Sequence, residues 1–443
     1  MDAAQYKDFV LGLVFLKFAS ASGAFRVPGP ARWEALAGDA AGDGRALDAA
    51  MDALMAANPS LAGALPKIFT GVDGRRLAEL VALIDGARFD TARFDGTGDV
   101  LGEIYEYFLE RFARAEGKRG GEFYTPSSVV RLLVEILEPY KGRVYDPCCG
   151  SGGMFVQAEK FVLSHRGRRD DIAVFGQEAN ERTWRLARMN LAVHGIGGDI
   201  GRADTFHADA HPGLRADFVL ANPPFNMSDW YRRTDDPRWR FGVPPAGNAN
   251  FAWIQHILAK LAPGGSAGVV MANGSMSSTQ KGEGEIRAAL VEADLVSCMV
   301  ALPPQLFRTT QIPACLWFFA KDKGPRAGHV LFVDARDMGT LADRTERVLT
   351  SSDIARIANT HRAWRAGRPV DEPGFARSVP LSALREHGHV LAPGRHVGTP
   401  VAAAAEPAAD RIERLTGELL ACLDESARLD AIVRSRLDDL AHG

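Results

Sequence analysis

The stretch Val219-Leu220-Ala221-Asn222-Pro223-Pro224-Phe225 decides the fold, because it contains the end of a buried strand. Its apolar residues predict a strand of a parallel sheet. Two consecutive prolines then end that strand, since each proline lacks an N–H and fixes φ. Asn222 therefore lies at the carboxyl end of a strand, which is where open α/β sheets bind their ligands.

The polar groups of this motif suit a planar ring that carries an exocyclic NH2 group. The prolines leave backbone carbonyls that a neighbouring strand cannot easily pair, Asn222 adds a side-chain carbonyl, and Phe225 adds a flat apolar face. Acceptors on both N–H bonds would draw the delocalised lone pair of such an amine back onto nitrogen. The alternative is that Asn-Pro-Pro is only a turn that ends a strand, and the rest of the chain disfavours it.

Strand and helix patterns alternate through the middle of the chain. This alternation predicts an α/β fold with a doubly wound, mostly parallel, Rossmann-like sheet. A short Pro-rich loop between the last two strands permits a hairpin. The predicted strands are 143–145, 173–176, 218–220, 267–272, 295–301 and 315–319, and the predicted helices are 129–137, 154–163, 181–193 and 251–261.

The chain divides into four predicted segments. Residues 1–115 are predicted to form an N-terminal helical domain with a loop from Gly23 to Gly44, and residues 116–330 a domain that contains the alternating strands and helices. Residues 331–400 form a smaller extension with few long periodic runs. Residues 401–443 contain an Ala/Pro-rich linker and then a helix with apolar residues three and four apart. That spacing favours a partner-binding, coiled-coil-like helix, with an ordinary surface helix as the alternative.

Composition excludes several classes of protein. The 443 residues are 46% hydrophobic and 24% charged with a net charge of −3, so DNA contact would need a local patch or a partner. The five cysteines follow neither a metal-binding spacing nor a disulfide framework, which predicts no metal and a cytoplasmic location. The N-terminus lacks a signal-peptide pattern, and no apolar run is long enough to cross a membrane.

A glycine-rich turn, Gly150-Ser151-Gly152-Gly153, lies between a predicted strand and helix, where nucleotides bind. It lacks the Gly-Lys-Ser/Thr ending of a phosphate loop. Asp146, Glu178 and Asp204 follow three predicted strands and suit an ammonium, two ribose hydroxyls and an adenine amine, respectively. This pattern favours a nucleoside with an amino acid end, and S-adenosylmethionine fits that description. The alternative is an α/β protein with a few surface acids.

Two further stretches carry possible ligand contacts. Gly121 to Pro126 precedes a helix that Thr125 or Ser127 can cap, and the loop amides there can bind a carboxylate or phosphate. Cations interleaved with aromatic residues follow the Asn222 motif and suit a DNA backbone. Nearby aspartates make a solvated loop an equal alternative. The cations are Arg232, Arg233, Arg238 and Arg240.

In its series of motifs, the chain resembles the modification (M) subunit of type I restriction–modification systems, a DNA adenine-N6 methyltransferase. The motifs occur in one order and cover most of residues 5 to 365. They are Gly121-Glu122-Phe123-Tyr124-Thr125-Pro126, Asp146-Pro147-Cys148-Cys149-Gly150-Ser151-Gly152-Gly153-Met154-Phe155, Gly176-Gln177-Glu178, Asp204-Thr205-Phe206, Asn222-Pro223-Pro224-Phe225-Asn226, Gly247-Asn248-Ala249-Asn250-Phe251-Ala252-Trp253 and Leu302-Pro303-Pro304-Gln305-Leu306-Phe307.

The resemblance implies residue roles and partners. Asn222, Pro223, Pro224 and Phe225 would hold a flipped adenine. It implies binding to duplex DNA in a complex of two M subunits and one specificity (S) subunit that reads the sequence, which a restriction (R) subunit can join. The residues implied to line the S-adenosylmethionine site are Glu122, Phe123, Tyr124, Thr125, Pro126, Ser127, Ser151, Gly152, Gly153 and Glu178.

The N-terminal region departs from the family pattern. Family members carry a helix ahead of the segment that starts at Asp2 and a longer insertion before Phe25. A misassigned start or a reduced N-terminal domain would explain the difference.

Several rival functions share parts of the pattern. Cytosine-N4 methylation uses similar chemistry, but asparagine at position 222 favours adenine. A stand-alone adenine methyltransferase would need its own base-reading domain, for which the tail after Phe319 is short. Glutamine and ribosomal RNA methyltransferases share Asn-Pro-Pro-aromatic but not the stretch from Gly121 to Pro126. The non-enzyme rival is a scaffold subunit that binds the cofactor without turnover.

Overall fold

The computed structural model describes most of the chain. The chain divides into two compact units, Met1–Gly398 and Thr399–Gly443. The described residues are 3–38, 42–86, 102–103, 105–109, 111, 125–280, 282–307, 313–343, 346–399, 412–413, 415–417, 419–420 and 422–429.

The first unit is built on a ten-stranded sheet with the order β3-β2-β1-β4-β5-β7-β6-β8-β12-β11, and β9 and β10 pair separately. The strands are β1 Gly142–Asp146, β2 Ile172–Glu178, β3 Gly198–Arg202, β4 Ala216–Ala221, β5 Leu261–Ala272, β6 Val296–Ala301, β7 Ala314–Ala320, β8 His329–Asp334, β9 Thr340–Leu341, β10 Arg347–Val348, β11 Asp371–Glu372 and β12 Ala376–Pro380.

The topology is doubly wound, as the alternation predicted. β3, β2, β1, β4 and β5 are all parallel, and the strand order reverses between β1 and β4. β7 is antiparallel to β5 and β6, so the predicted hairpin of the last two strands is confirmed. A ligand site is expected at the carboxyl ends of β1 and β4, where the order reverses.

Helices cover both faces of the sheet. One face packs on α5, α6, α7 and α10, and the other packs on α8, α9 and α11. The helices are α1 Ala3–Ser22, α2 Trp33–Ala37, α3 Gly44–Ala57, α4 Gly74–Gly86, α5 Ser127–Leu137, α6 Gly153–Ser164, α7 Glu181–Val193, α8 Asn250–Lys260, α9 Glu283–Glu292, α10 Ser351–Arg365 and α11 Leu381–Glu386.

Burial on both faces explains why the strands are almost continuously apolar. Val219 of β4 contributes to the core on the α8 side, whereas its neighbour Leu220 contributes to the core on the α5 side. Trp317 and Phe318 of β7 divide in the same way. Successive side chains of a strand point to opposite faces, so both must be apolar when helices cover both faces.

The N-terminal helices have a core of their own, which includes apolar side chains of α7. The prediction of a loop from Gly23 to Gly44 was wrong in part, because α2 lies within it. Trp33 is buried there and its indole N–H donates to Asp85 at 2.7 Å. Between residues 87 and 115, much of the predicted helical domain lies outside the described residues, and the described part there is helical.

The segment after residue 330 contains more regular structure than predicted. β8 and β12 extend the main sheet, and α10 packs against α5. The buried residues of α10 lie three and four apart, including Ile354, Ile357, His361 and Trp364, so a helical period was present in the sequence. The boundaries of the four segments remain predictions.

In the second unit, the described residues between 412 and 429 are helical, and their large apolar side chains are exposed in this chain alone. The predicted linker, Pro400 to Ala409, lies outside the described residues. None of the described helices combines the length and apolar character needed to cross a bilayer.

One close approach in the N-terminal core gives a testable expectation. A Cβ on Gly44 would lie 2.0 Å from the carbonyl oxygen of Phe69, so Gly44→Ala should force the start of α3 away from this turn. We expect a loss of about 1–3 kcal/mol in the free energy of unfolding, measured by urea denaturation. Gly213→Ala is the control, because a Cβ there meets no atom within 4 Å. Equal stability of the two variants would contradict this packing.

Candidate active site

Two turns meet at the carboxyl edge of the sheet. β1 and β4 are adjacent and parallel, so the turn after Asp146 and the turn after Ala221 lie side by side. Two adjoining cavities of about 330 and 220 Å³ share Gly150, Ser151 and Asn222 in their walls. The predicted cofactor loop and the predicted base-binding motif therefore form one site.

Asn222 is held in one orientation by a neighbouring loop. Its Nδ2 donates to Thr125 Oγ1 at 2.8 Å, whereas its Oδ1 is buried without a hydrogen-bond partner among the described residues. An unpaired buried acceptor costs about 1–3 kcal/mol. The side-chain carbonyl of Asn222 is therefore available to accept a hydrogen bond from a ligand.

Thr125 has a different role from the one that its position before α5 predicted. The capping residue of α5 is Pro126, and no side chain caps this helix. The prediction of a cap by Thr125 or Ser127 was thus wrong. Both side chains instead line the larger cavity.

The glycine-rich turn is held by side chains from β2 and α7. Gly150 and Gly152 have φ values of 54° and 80°, which favour glycine. The Gly150 amide donates to Glu178 at 3.1 Å, and Asn190 donates to the Ser151 carbonyl at 2.9 Å. These bonds hold the backbone of the turn along the wall of the cavities.

The three predicted acids all line the cavities. Asp146 lines the larger cavity, and Glu178 and Asp204 line the smaller one. Burial raises the pKa of Asp146 to about 7, with repulsion from Glu178 as a smaller cause, while a bond from the Cys148 amide opposes the shift. Asp204 accepts from the amides of Phe206 and His207 at 2.8 and 2.9 Å.

Sequence reasoning missed Trp253 as a residue of the site. Trp253 lies on α8, lines the smaller cavity, and has a buried indole N–H without a hydrogen-bond partner among the described residues. The signal was its place at the end of the Gly247 to Trp253 motif. The N-terminal helical domain, for which no site residue was predicted, also contributes to the walls, through Lys7, Glu103, Glu106, Tyr107 and Leu109.

The other predicted site residues differ in whether they line a cavity. Pro224 lines the smaller cavity, and Pro223 is buried. Phe225 is half-buried and packs edge-on against Phe307, with ring centroids 6.2 Å apart. Neither Pro223 nor Phe225 lines either cavity, and the same holds for Pro126 and Gly152. Gly153 lines the larger one. Glu122, Phe123 and Tyr124 lie outside the described residues.

The segment after Phe225 is fixed to the start of α8. Asn226, which has a positive φ of 53°, donates its amide to Asn250 Oδ1 at 3.0 Å. In return, Asn250 Nδ2 donates to Asn226 Oδ1 at 2.9 Å. This reciprocal pair determines where the chain leaves the Asn222 motif.

Arg238 is not the free cation that the DNA-contact prediction required. It pairs with Asp236 at 2.6 Å, and the two side chains are only 16% and 10% exposed. Its guanidinium also donates to the carbonyls of Thr205 and Phe206, at 2.9 and 3.1 Å, and to His256 Nδ1 at 3.0 Å. The N–H groups of its guanidinium thus all donate to partners within the protein. Arg238 is therefore removed from the predicted DNA contacts.

These contacts form a buried network behind the cofactor loop. Since Arg238 can only donate, His256 Nδ1 accepts and Nε2 carries the proton that is donated to Tyr145 Oη, 3.2 Å away. Burial and then repulsion by Arg238 lower the pKa of His256 to about 3. Thr205 joins the network to the segment just before the glycine-rich turn, because its hydroxyl donates to the Pro147 carbonyl at 2.5 Å.

The remaining predicted DNA contacts differ in position. Arg232 and Arg233 are exposed, although Arg232 donates to the Pro244 carbonyl and Arg233 pairs with Asp235 at 2.8 Å. Arg240 is exposed and lines a third cavity that does not contain Asn222. Of the aromatic residues interleaved with these cations, Trp239 is buried in a local core, whereas Tyr231 is exposed.

Comparison with known proteins identifies relatives along most of the chain. The sequence model of the N-6 DNA Methylase family matches residues 96–404. The type I restriction enzyme HindI methylase subunit of Haemophilus influenzae is 44% identical, over 94% of this chain and 100% of that protein. The type I restriction enzyme MjaIX methylase subunit of Methanocaldococcus jannaschii is 36% identical, over 99% of this chain and 88% of that protein.

A solved structure has the same fold. The methyltransferase subunit of a type I restriction–modification system from Streptococcus thermophilus superposes with a TM-score of 0.78 at 25% identity. The superposition covers 90% of this chain and 96% of that one.

The buried and exposed ion pairs of one loop allow a direct test. Arg238→Gln should lower the free energy of unfolding by about 3 kcal/mol, because it leaves the Asp236 carboxylate, which is only 10% exposed, without its cation. Arg233→Gln is the matched control, since Arg233 and Asp235 have the same spacing but are 55% and 72% exposed. We expect no measurable change for the control in urea denaturation. Equal effects of the two changes would contradict a structural role for Arg238.

Proposed function

Because the chain belongs to the N-6 DNA methylase family, as a type I methylase subunit, we propose that it transfers a methyl group from S-adenosylmethionine to N6 of an adenine flipped out of duplex DNA. Its class, adenine-specific DNA methyltransferase, follows from the family. The observation that carries the proposal is the Asn222 carbonyl. It is buried and unpaired in the wall that two cavities share.

The residues present fit S-adenosylmethionine. Glu178 and Asp204 in the smaller cavity suit ribose hydroxyls and an adenine amine, and the unpaired indole N–H of Trp253 offers a donor beside them. Asp146 in the larger cavity suits the ammonium of the amino acid end. Lys160, a cation of the larger cavity, is already paired with Glu106 at 2.5 Å. When bound, S-adenosylmethionine supplies an electrophilic methyl group.

Asn222 is proposed to activate the adenine amine. Its Nδ2 is engaged by Thr125, so its Oδ1 is the atom that accepts from one N6–H bond, while the Pro223 carbonyl accepts from the other. These bonds return the nitrogen lone pair from the ring to the attacking atom. Holding both reactants in line supplies much of the rate, since oriented groups reach effective concentrations of roughly 10⁵ M or more. The surplus proton leaves to water after transfer.

Phe225 is proposed to stabilise the flipped base. Extrusion of a base costs a few kcal/mol, and stacking on an aromatic side chain offsets about 1–3 kcal/mol. Phe225 is half-buried against Phe307, and its uncovered part is the proposed stacking surface.

The proposed assembly contains duplex DNA, a second M subunit and an S subunit, and an R subunit can join. The relatives are named as methylase subunits of type I restriction enzymes, which supports work within a complex. The exposed apolar side chains between residues 412 and 429 support a subunit contact through this helix. Exposed Arg232 and Arg233 are the proposed backbone contacts to DNA.

Methyl transfer to duplex DNA separates this proposal from its rivals. We expect transfer to adenine only when an S subunit is present. Transfer without it would indicate a stand-alone enzyme, transfer to cytosine would indicate N4 chemistry, and cofactor binding without any transfer would indicate a scaffold subunit.

The orientation of Asn222 is testable by substitution. Asn222→Ala should retain S-adenosylmethionine binding but lower kcat by about 10²–10³-fold, as loss of one transition-state donor or acceptor does. Thr125→Val should lower kcat about tenfold, because the released amide can turn its carbonyl away, a loss of about 1.4 kcal/mol. Thr125→Ser retains the acceptor and is the control. Full activity of Asn222→Ala would remove Asn222 from the mechanism.

The raised pKa of Asp146 gives a pH prediction. The free protein holds this carboxyl largely protonated below its pKa of about 7, whereas a bound ammonium favours the carboxylate. S-adenosylmethionine affinity should therefore fall as pH drops below 7, by up to tenfold per pH unit, with proton release on binding. Calorimetry in buffers of different ionisation enthalpy measures both effects.

Asp146→Asn is the control for this experiment, because the ligand amine also titrates near neutral pH. The variant should bind more weakly at pH 8 and show a flatter profile than the wild-type protein. Identical profiles for the two proteins would show that Asp146 does not face the ammonium.

A further inference from the structure

A cavity of about 640 Å³ lies along α8, at the edge of the sheet opposite the candidate active site. Its walls include Arg215 just before β4, Pro263 at the start of β5, Leu295 just before β6 and Lys321 just after the antiparallel β7. These positions all lie at the amino-terminal edge of the parallel strands. Asn222 is at the other end of the six-residue β4, roughly 23 Å from Arg215 at 3.3 Å per residue.

The charged side chains that line this cavity are all cations. They are Arg215, Arg238, Arg240 and Lys321. Arg238 is neutralised by Asp236. The other three are exposed and have no carboxylate partner among the described residues. Arg215 and Lys321 donate only to the carbonyls of Leu214 and Leu261, each at 2.9 Å. Three positive charges therefore remain uncompensated in a chain whose net charge is −3.

Lys321 is close enough to Arg215 and to Arg240 to be repelled by both. Desolvation lowers the pKa of Lys321, and repulsion by Arg215 and then Arg240 lowers it further. Like charges that converge without a partner destabilise the folded chain, so an anion between them would relieve a cost already present.

Neighbouring acids are engaged elsewhere and do not compensate the cavity. Asp294 pairs with Lys323, and Glu292 pairs with Arg385 at 2.7 Å. Asp322, next to Lys321, lines a different cavity and accepts from the Gly324 amide at 2.8 Å. The floor of the cavity is apolar and contains Phe241 and Leu258.

We propose that this cavity is a second, distal binding site that takes phosphate groups. Two guanidinium groups and one ammonium suit the several oxygens of a phosphate, because guanidinium can bind two of them at once. The apolar floor offers a surface for a base or a deoxyribose attached to the phosphate. The phosphate would belong either to a free nucleotide or to a nucleic-acid backbone. The site shares no lining residue with the proposed methyl-transfer site.

Binding of sodium pyrophosphate to the full chain tests the site by calorimetry. We expect saturable binding that weakens as salt rises. The variant Arg215→Gln/Arg240→Gln/Lys321→Gln should lose at least tenfold in affinity. The control Arg45→Gln/Arg75→Gln/Lys141→Gln removes the same charge from exposed positions elsewhere and should change affinity less than twofold.

The result that overturns the site is absence of pyrophosphate binding, or equal affinity of both triple variants and the wild-type protein. Binding of poly-glutamate in place of pyrophosphate would also overturn it, in favour of an acidic polypeptide. If the wild-type protein bound pyrophosphate but did not bind S-adenosylmethionine, the proposed function would be contradicted and the distal site would not.

Two further ligands identify the source of the phosphate. Tighter binding of ADP than of pyrophosphate, lost in the triple variant, indicates a nucleotide that uses the apolar floor. Binding of a duplex oligonucleotide that weakens in the triple variant, with ADP no tighter than pyrophosphate, indicates a nucleic-acid backbone.

Discussion

The adjacent, parallel pairing of β1 and β4 is the constraint on which the site depends. Val144 and Tyr145 pair with Phe218 and Val219, so both strands end at the same edge of the sheet. From β1 the chain continues to β2 and β3 on one side of that strand. It then returns to β4 and β5 on the other side. A crevice must open where the strand order reverses, because the connecting segments leave in opposite directions. Asn222 and the glycine-rich turn both lie in that crevice.

Side-chain bonds to backbone carbonyls and amides then give the crevice a defined shape. Arg238 holds the Thr205 and Phe206 carbonyls, Thr205 holds the Pro147 carbonyl, and Glu178 holds the Gly150 amide. Loops that bind ligands have few backbone partners of their own, so buried polar side chains must satisfy them. The loop after the Asn222 motif is thereby joined to the loop that lines the smaller cavity. A substitution in one loop is expected to disturb the other.

Charge is divided between the two edges of the sheet. Acids converge on the active-site edge, where Asp146, Glu178 and Asp204 line the cavities. Uncompensated cations converge on the opposite edge, at Arg215, Arg240 and Lys321. A small overall net charge thus conceals two sites of opposite sign. Each sign matches the ligand proposed for it, an ammonium-bearing nucleoside at one edge and phosphate groups at the other.

The amino-acid sequence by itself determined the fold class, the hairpin of β6 and β7, and the meeting of the glycine-rich turn with Asn222. These features follow from local patterns, since apolar runs, prolines and glycines act within a few residues of themselves. The sequence also placed the three acids at strand ends, because a residue after a parallel strand has only one edge of the sheet to occupy.

Only the tertiary structure decided which partner each polar side chain has. Thr125 precedes a helix in the sequence, yet it accepts from Asn222, 97 positions away. Arg238 has the same local setting as Arg233, but only Arg238 is largely shielded from solvent, because Thr205 and His256 come from distant segments to meet it. Packing between elements likewise decided which cavity Trp253 and Arg240 line. Hydrogen bonds and burial between distant segments leave no periodic signal in a sequence, so the fold had to bring those side chains together before their roles could be assigned.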